Sequence, residues 1–245
     1  MFDLIILAGG KGTRLKKYLN KKPKPLVKIQ NKSFLDYLLF NVSKFNFSKI
    51  FIIAGYQGKF IKELYHNKTI NLTKINVIIE KNLKGTGGSL YEVKNKIKNN
   101  FFVINGDTLY DIDLLELPKL LNNSSICSLA LTKNKNYKSN NKLVNLNINK
   151  TNNLVYSKKN QLMNGGIYFF KKVFLKNIKN NYMSLEEDIL PILIKKKMVK
   201  AKKFNSFFLD IGTPNNFAYA KNKFKKFFFK PAIFLDRDGV LNHDD

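Results

Sequence analysis

Gly9, Gly10 and Gly12 stand directly behind the apolar run of residues 4–7, and Thr13 and Arg14 follow them. Glycine has no Cβ, so a turn of this composition can lay its backbone N–H groups against phosphate oxygens. Arg14 adds a planar cationic fork suited to the same oxygens. The spacing matches neither the dinucleotide fingerprint G-x-G-x-x-G nor the phosphate loop G-x-x-x-x-G-K-[ST]. On its own the turn is equally consistent with a tight bend and no ligand. Lys24 comes next, between Pro23 and Pro25, whose rings stiffen the backbone around it. A solvated loop lysine is the plain reading; a lysine fixed near a phosphate turn is the sharper one. Further on, Gly85, Thr86, Gly87 and Gly88 open a segment patterned by Leu90, Val93 and Ile97. A helix starting there would offer unpaired N–H donors and the positive end of its dipole.

Two carboxylates complete the set. Asp107 follows the apolar run 101–104 and Asp210 follows 207–209, beside Gly106 and Gly212. Only 17 residues are acidic against 44 basic ones, so aspartates at two strand ends stand out. Open α/β sheets gather ligands at the carboxyl ends of their strands. Two carboxylates can hold a Mg²⁺ that also takes phosphate oxygens. Either alone would be an ordinary turn residue. Asp113 and Glu116 are explained as a capping pair ahead of residues 114–121, and Glu187 as part of a capping box opened by Ser184. Glu186 has no such duty and could face a ligand.

Elements must hold these groups in place. Buried-strand runs at 4–7, 50–54, 75–79 and 101–104 alternate with helical patterns at 33–45, 60–65 and 85–97, the first capped by Ser33. That alternation predicts an α/β fold, a mainly parallel central sheet with helices on both faces. The second half is richer in strands, at 126–131, 143–148, 167–170 and 207–209, and Cys127 reads as a core residue of the first of these. Asn164, Gly165 and Gly166 precede the third, which leaves room for a close backbone approach. Thr213 and Pro214 start a last helix through Phe217, Ala220 and Phe224.

Composition narrows the partners. A chain of 245 residues buries a full core in one domain with room for a small extra piece. No apolar run reaches the roughly 20 residues of a membrane span, and no secretory leader pattern is present. A lone cysteine excludes an internal disulfide and suits the cytoplasm. With only His66 and His243 beside it, a cysteine–histidine zinc cluster is excluded too. The net charge is +27, and all but two of the 44 basic residues are lysine. They are spread along the chain, whereas base-reading proteins lean on arginine. The expectation is no nucleic-acid and no membrane partner, with a charge that helps attract phosphorylated substrates. A polyanion-binding module is the alternative.

Taken in order, the motifs resemble the sugar-1-phosphate nucleotidylyltransferases over residues 2–228. GGxGTRL stands at 9–15, PKP-L at 23–26, GTGG at 85–88, NGD at 105–107, NGGIY at 164–168 and DIGTP at 210–214. The implied fold is a Rossmann-like nucleotide-diphospho-sugar transferase sandwich with a strand-rich sugar-binding second half. Residues 80–89 and the run NGDTLYDIDLL look most like the heptose 1-phosphate guanylyltransferase branch. The resemblance implies that Leu7, Ala8, Gly9, Gly10, Gly12 and Thr13 wrap the nucleotide while Arg14 and Lys24 neutralise its phosphates. Glu80, Gly85, Thr86 and Gly88 would approach base and ribose. Asp107 and Asp210 would hold Mg²⁺, with Arg14, Lys24 and Asp107 as the catalytic set. Gly106, Lys159, Asn164, Gly165 and Glu186 would receive the sugar phosphate. The implied partners are a nucleoside triphosphate and a sugar 1-phosphate. GTP and a heptose lead, and other bases, mannose, glucose or N-acetylmuramate stay open. The chain departs from the family at Leu83-Lys84, where Pro-Leu is usual, and at Lys158-Lys159, where Glu-Lys is usual.

Residues 232–242 resemble the first motif of haloacid-dehalogenase-type phosphatases, which implies Asp236 as nucleophile and Asp238 as acid/base. The later motifs of that domain do not follow. The expectation is therefore a transferase domain at 1–228. At 229–245 it is a linker and the first strand and loop of a truncated phosphatase domain, too little to act alone. The natural parent would be a fusion whose phosphatase makes the sugar 1-phosphate. The oligomeric state, homo-oligomer included, stays open.

Overall fold

The computed structural model describes residues 1–19, 21–133, 145–157 and 162–228. Lys159, Asp236 and Asp238 lie outside these residues. In chain order the strands that build and flank the site are β1 (Phe2–Ala8), β2 (Phe47–Ala54), β3 (Thr69–Ile70), β4 (Thr73–Ile79), β5 (Phe101–Asn105), β6 (Thr108–Tyr110), β7 (Cys127–Thr132), β8 (Met163–Phe170), β9 (Val199–Lys203) and β10 (Phe208–Asp210). Eight of them form one sheet in the order β9-β7-β8-β5-β1-β2-β4-β3, and β6 pairs with β10 outside it. The ladders β5-β1-β2-β4 and β9-β7 are parallel, while β8 runs antiparallel to both its neighbours. The mainly parallel α/β sheet expected from the alternation is present.

Both faces of this sheet are covered, which is why β1 is apolar without interruption from Leu4 to Ala8. Leu4, Ile6 and Ala8 join one core cluster and Ile5 another, as strand geometry requires of successive side chains. Helices α1 (Phe34–Val42) and α2 (Gly58–Tyr65) pack on the first face. Residues 90–97 and α3 (Leu190–Lys195) pack on the second. The last helix, α4 (Pro214–Phe228), closes a third cluster of Leu15, Phe34, Leu209 and Ile211. Ser33 caps α1 as expected, and Asp36 completes a capping box by accepting the Ser33 N–H at 2.9 Å.

The chain runs outward from β1 to β2 and β4, then returns to β5 on the opposite side of β1. Such a reversal opens a crevice at the carboxyl ends of the central strands. Local details differ from the sequence pattern in four places. Residues 85–97 are not one helix: a single turn, Gly85–Gly88, passes into a 3₁₀ segment, Ser89–Val93, though Leu90, Val93 and Ile97 are all buried. Residues 114–121 split into two 3₁₀ turns, since Pro118 has no N–H to continue the first. Asp113 caps the first turn, but Glu116 instead binds Lys119 at 2.7 Å and Lys202 of β9 at 2.6 Å. After Ser184 the first turn is a π turn, Leu185–Ile189. The carboxylate that returns to the Ser184 N–H is therefore that of Asp188, at 2.7 Å, one residue beyond Glu187. Finally, Asn164, Gly165 and Gly166 lie inside β8 rather than ahead of it, where the register to β7 slips.

Candidate functional site

The crevice at the carboxyl ends of β1, β4 and β5 holds a cavity of about 330 Å³, on the scale of a small-ligand pocket. Leu7, Ala8, Gly9, Gly10 and Gly12 form one wall, and Glu80, Gly85, Gly106 and Asp107 also line it. Two of the turn glycines lie against neighbouring side chains, and Gly12 is also held at a positive φ. A Cβ on Gly9 would sit 2.8 Å from Glu80 Oε2. At Gly12, where φ is +62°, a Cβ would sit 3.1 Å from the Lys24 Cβ. Gly12 thus brings the turn against the lysine. Thr13 and Arg14 continue in a short 3₁₀ turn, exposed and anchored by buried Leu15.

The two aspartates meet because β10 pairs with β6. Asp210 is registered opposite Thr108, and the Ile211 N–H donates to the Asp107 carbonyl at 3.0 Å. Lys24 Nζ donates to Asp107 Oδ2 from a turn flanked by buried Pro23 and Pro25. Burial pushes the Asp107 carboxyl toward protonation, but Lys24, by charge and hydrogen bond, outweighs it and holds the group below the ordinary range. Asp210 goes the other way. Burial, then the charge of Asp107, raise it to about 6, against the opposing pull of Lys24, the Gly212 N–H and Arg14. Such a pair of carboxylates favours a cation between them, so the residues fit a divalent metal. Among the described residues no third His, Cys, Asp or Glu joins them. The remaining positions would fall to substrate oxygens and water, the coordination Mg²⁺ prefers.

Glu80 closes the inner end of the cavity. It is buried, and its Oε1 has no hydrogen-bond partner among the described residues. Burial pushes its carboxyl up, and the charge of Glu92 adds to that, while Ser89 and Lys84 oppose it. Asn105, which no chemical argument singled out in the sequence, lines the same cavity with a buried and equally unpartnered Oδ1. Its position inside the NGD motif was the available signal. Leu83 and Tyr182 stand at the mouth, both exposed; a solvent-facing aromatic in a loop leaves no trace in a periodicity.

The second glycine loop is used differently from the expectation. The Gly87 and Gly88 N–H groups both donate to the Met183 carbonyl, at 2.8 and 2.9 Å, so these donors are turned to the protein. Gly88 has an ordinary φ of −65°, yet a Cβ there would run into the Asn181 carbonyl. Its glycine keeps the loop pressed onto residues 181–183. Replacing Gly88 with Ala is expected to cost about 1–3 kcal/mol, the range for overpacking, read as a lower urea midpoint. An unchanged midpoint would remove this packing role. Gly85 and Thr86 remain on the cavity wall.

Among residues expected on the sugar side, Gly106 lines the cavity while Asn164, Gly165 and Glu186 do not. Gly165 is buried, with the Tyr110 ring 2.8 Å from where its Cβ would be. Asn164 and Glu186 are joined through the Tyr168 hydroxyl, which accepts from Asn164 Nδ2 at 2.5 Å and donates to Glu186 Oε1 at 2.8 Å.

A switch-point crevice walled by a glycine turn, Lys24 and Asp107 belongs to the α/β fold of the nucleotide-diphospho-sugar transferases. The pattern of the nucleotidyl transferase family matches residues 4–226, and the chain belongs to that family. It is 35% identical over 219 residues to D-glycero-alpha-D-manno-heptose 1-phosphate guanylyltransferase of Campylobacter jejuni, covering 87% of this chain and 96% of that one. It is 28% identical over 237 residues to the protein of the same name from Aneurinibacillus thermoaerophilus, covering 92% and 99%. The crystal structure of HddC from Yersinia pseudotuberculosis complexed with GMP-PN superposes with a TM-score of 0.75 at 28% identity, covering 92% and 100%. Among the described residues no helix is long and apolar enough to cross a membrane.

Proposed function

We propose that this sugar-1-phosphate nucleotidylyltransferase moves GMP from GTP to D-glycero-α-D-manno-heptose 1-phosphate. A phosphate oxygen of the sugar attacks the α-phosphorus, the bond to the bridging oxygen breaks, and pyrophosphate leaves. The nucleophile is already ionised, so no general base is needed. Alignment and charge neutralisation supply the rate. Lys24 and Arg14 would face the phosphates from the glycine turn, and Asp107 and Asp210 would hold the magnesium ion. When bound, Mg²⁺ would offset negative charge on the triphosphate. The observation that carries the class of reaction is the meeting of Asp107, Asp210 and Lys24 beside the glycine turn. The heptose rests on the two guanylyltransferase relatives and on the phosphatase-like motif at residues 232–242.

Guanine is favoured by Glu80. Its ionised carboxylate offers two acceptors, and guanine presents two adjacent donors on its Watson–Crick edge. Uracil, cytosine and adenine each pair a donor with an acceptor there. In Glu80→Gln one acceptor becomes a donor, and kcat/KM for GTP relative to UTP is expected to fall about tenfold or more. An unchanged ratio would remove Glu80 from base choice. The raised proton affinity gives a second readout. Protonation sets in at higher pH than for an ordinary glutamate and puts a donor against the base, so the KM for GTP should rise as pH falls. The Gln variant should lose that limb. The broad test is a pyrophosphate-release screen of GTP, UTP, CTP, dTTP and ATP against a panel of sugar 1-phosphates. Release with no pair would overturn the reading.

A further inference from the structure

Thr86 stands in the loop expected to meet the nucleotide, yet its hydroxyl is turned to the other half of the site. Oγ1 donates to Glu186 Oε2 at 2.5 Å and accepts from the Leu185 N–H at 2.8 Å. A threonine has one hydroxyl proton, and here it is committed to Glu186. Ser184 Oγ donates to the same Oε2 at 3.2 Å. Tyr168, fully buried, donates to Oε1 at 2.8 Å. A carboxylate has about four lone-pair positions, so three donors fix the direction in which the fourth can accept. The loop and the Glu186 segment are also zipped along the backbone. Gly87 and Gly88 donate to Met183 O, and Met183 N donates to Lys84 O at 2.8 Å. A shift of the loop therefore carries the Glu186 carboxylate with it.

We propose that Thr86 is a positioning residue for the sugar phosphate, acting through Glu186, and that it ties the loop beside the nucleotide cavity to the carboxylate that would receive the sugar. This rests on the transferase reading above. Residues about a hundred positions apart in sequence thereby share one hydrogen-bond chain, Thr86–Glu186–Tyr168–Asn164. Charge-assisted O–H···O⁻ bonds belong to the stronger class, so losing the Thr86 donor lets the carboxylate turn.

The test is steady-state pyrophosphate release with GTP and D-glycero-α-D-manno-heptose 1-phosphate as probes, or with whichever pair the screen finds active. Thr86→Val should raise KM for the sugar phosphate about tenfold, the scale of one hydrogen bond to a charged group. KM for the triphosphate should stay within about twofold, and Thr86→Ser should restore the sugar KM because the hydroxyl returns. Glu186→Gln should raise the same KM by a similar factor, and the double variant should be no worse than the worse single, since the two residues act as a unit. Tyr168→Phe, nearly isosteric, should show the same split and serves if the valine variant does not fold. A rise in KM confined to the triphosphate, or a double variant whose effects multiply, overturns the proposal while leaving the transferase reading intact. No turnover of any pair by the parent chain overturns both.

Discussion

Asp107→Asn is expected to cut pyrophosphate release by on the order of 10³-fold or more and to abolish its dependence on magnesium, with the fold retained. The neutral amide keeps the shape of the side chain and can still take a hydrogen bond from Lys24. The loss to stability should therefore be only about 1 kcal/mol, the usual net value of a single bond. What disappears is half of the negative charge that faces a cation. Asp210 cannot replace it, because one carboxylate is a poor cage for a strongly hydrated ion. The measurement is initial rate against magnesium concentration at saturating triphosphate, with circular dichroism and urea melts to confirm folding. A folded variant with the parent's magnesium curve would strike Asp107 from the ligands.

Much of this arrangement could be read from residue order, and the parts that could not have a common cause. The first strand, the glycine turn and the Ser33 cap are local, and each is found where its pattern falls. Asp107 and Asp210 were marked by their places at strand ends, but their meeting depends on β10 laying itself against β6, a pairing across most of the chain. Lys24 was marked by its prolines, yet its partner is set by the packing of the turn against Gly12. The same distance effect hid the bond between Thr86 and Glu186. Where local propensity was asked to extend an element, it overreached. Residues 85–97 carry a helical apolar stripe, but four glycine-loop residues tied to residues 181–183 hold the start in a different curvature. Asn164 and Gly165 look like a turn and are instead strand, because the missing side chain at Gly165 admits the Tyr110 ring.

The second large effect is expected at Lys24. In Lys24→Ala, turnover should fall by about 10²–10³, the scale of removing one charge contact made to the reacting group, while the magnesium dependence of the residual rate persists. Two roles of the ammonium group lead to this split. In the free protein it neutralises Asp107, and it is only 14% exposed, so its charge acts in a partly dry site. During the reaction the same charge would lie beside the α-phosphate, offsetting the charge spread over its oxygens while the departing pyrophosphate takes the bonding pair. Alanine removes both, and it leaves the repulsion between Asp107 and Asp210 offset only by the Gly212 N–H and the weaker charge of Arg14. That repulsion should raise, not lower, the affinity of the carboxylate pair for a divalent ion. The two variants are therefore separable by their magnesium curves: Asp107→Asn loses the dependence, and Lys24→Ala keeps it or shifts it to lower concentration at a reduced maximum. Lys24→Arg should not recover the parent rate, because a planar fork does not reproduce the compact point charge that the ammonium presents to Asp107. An alanine variant within twofold of the parent would take Lys24 out of the chemistry and leave its pairing with Asp107 as a purely structural contact.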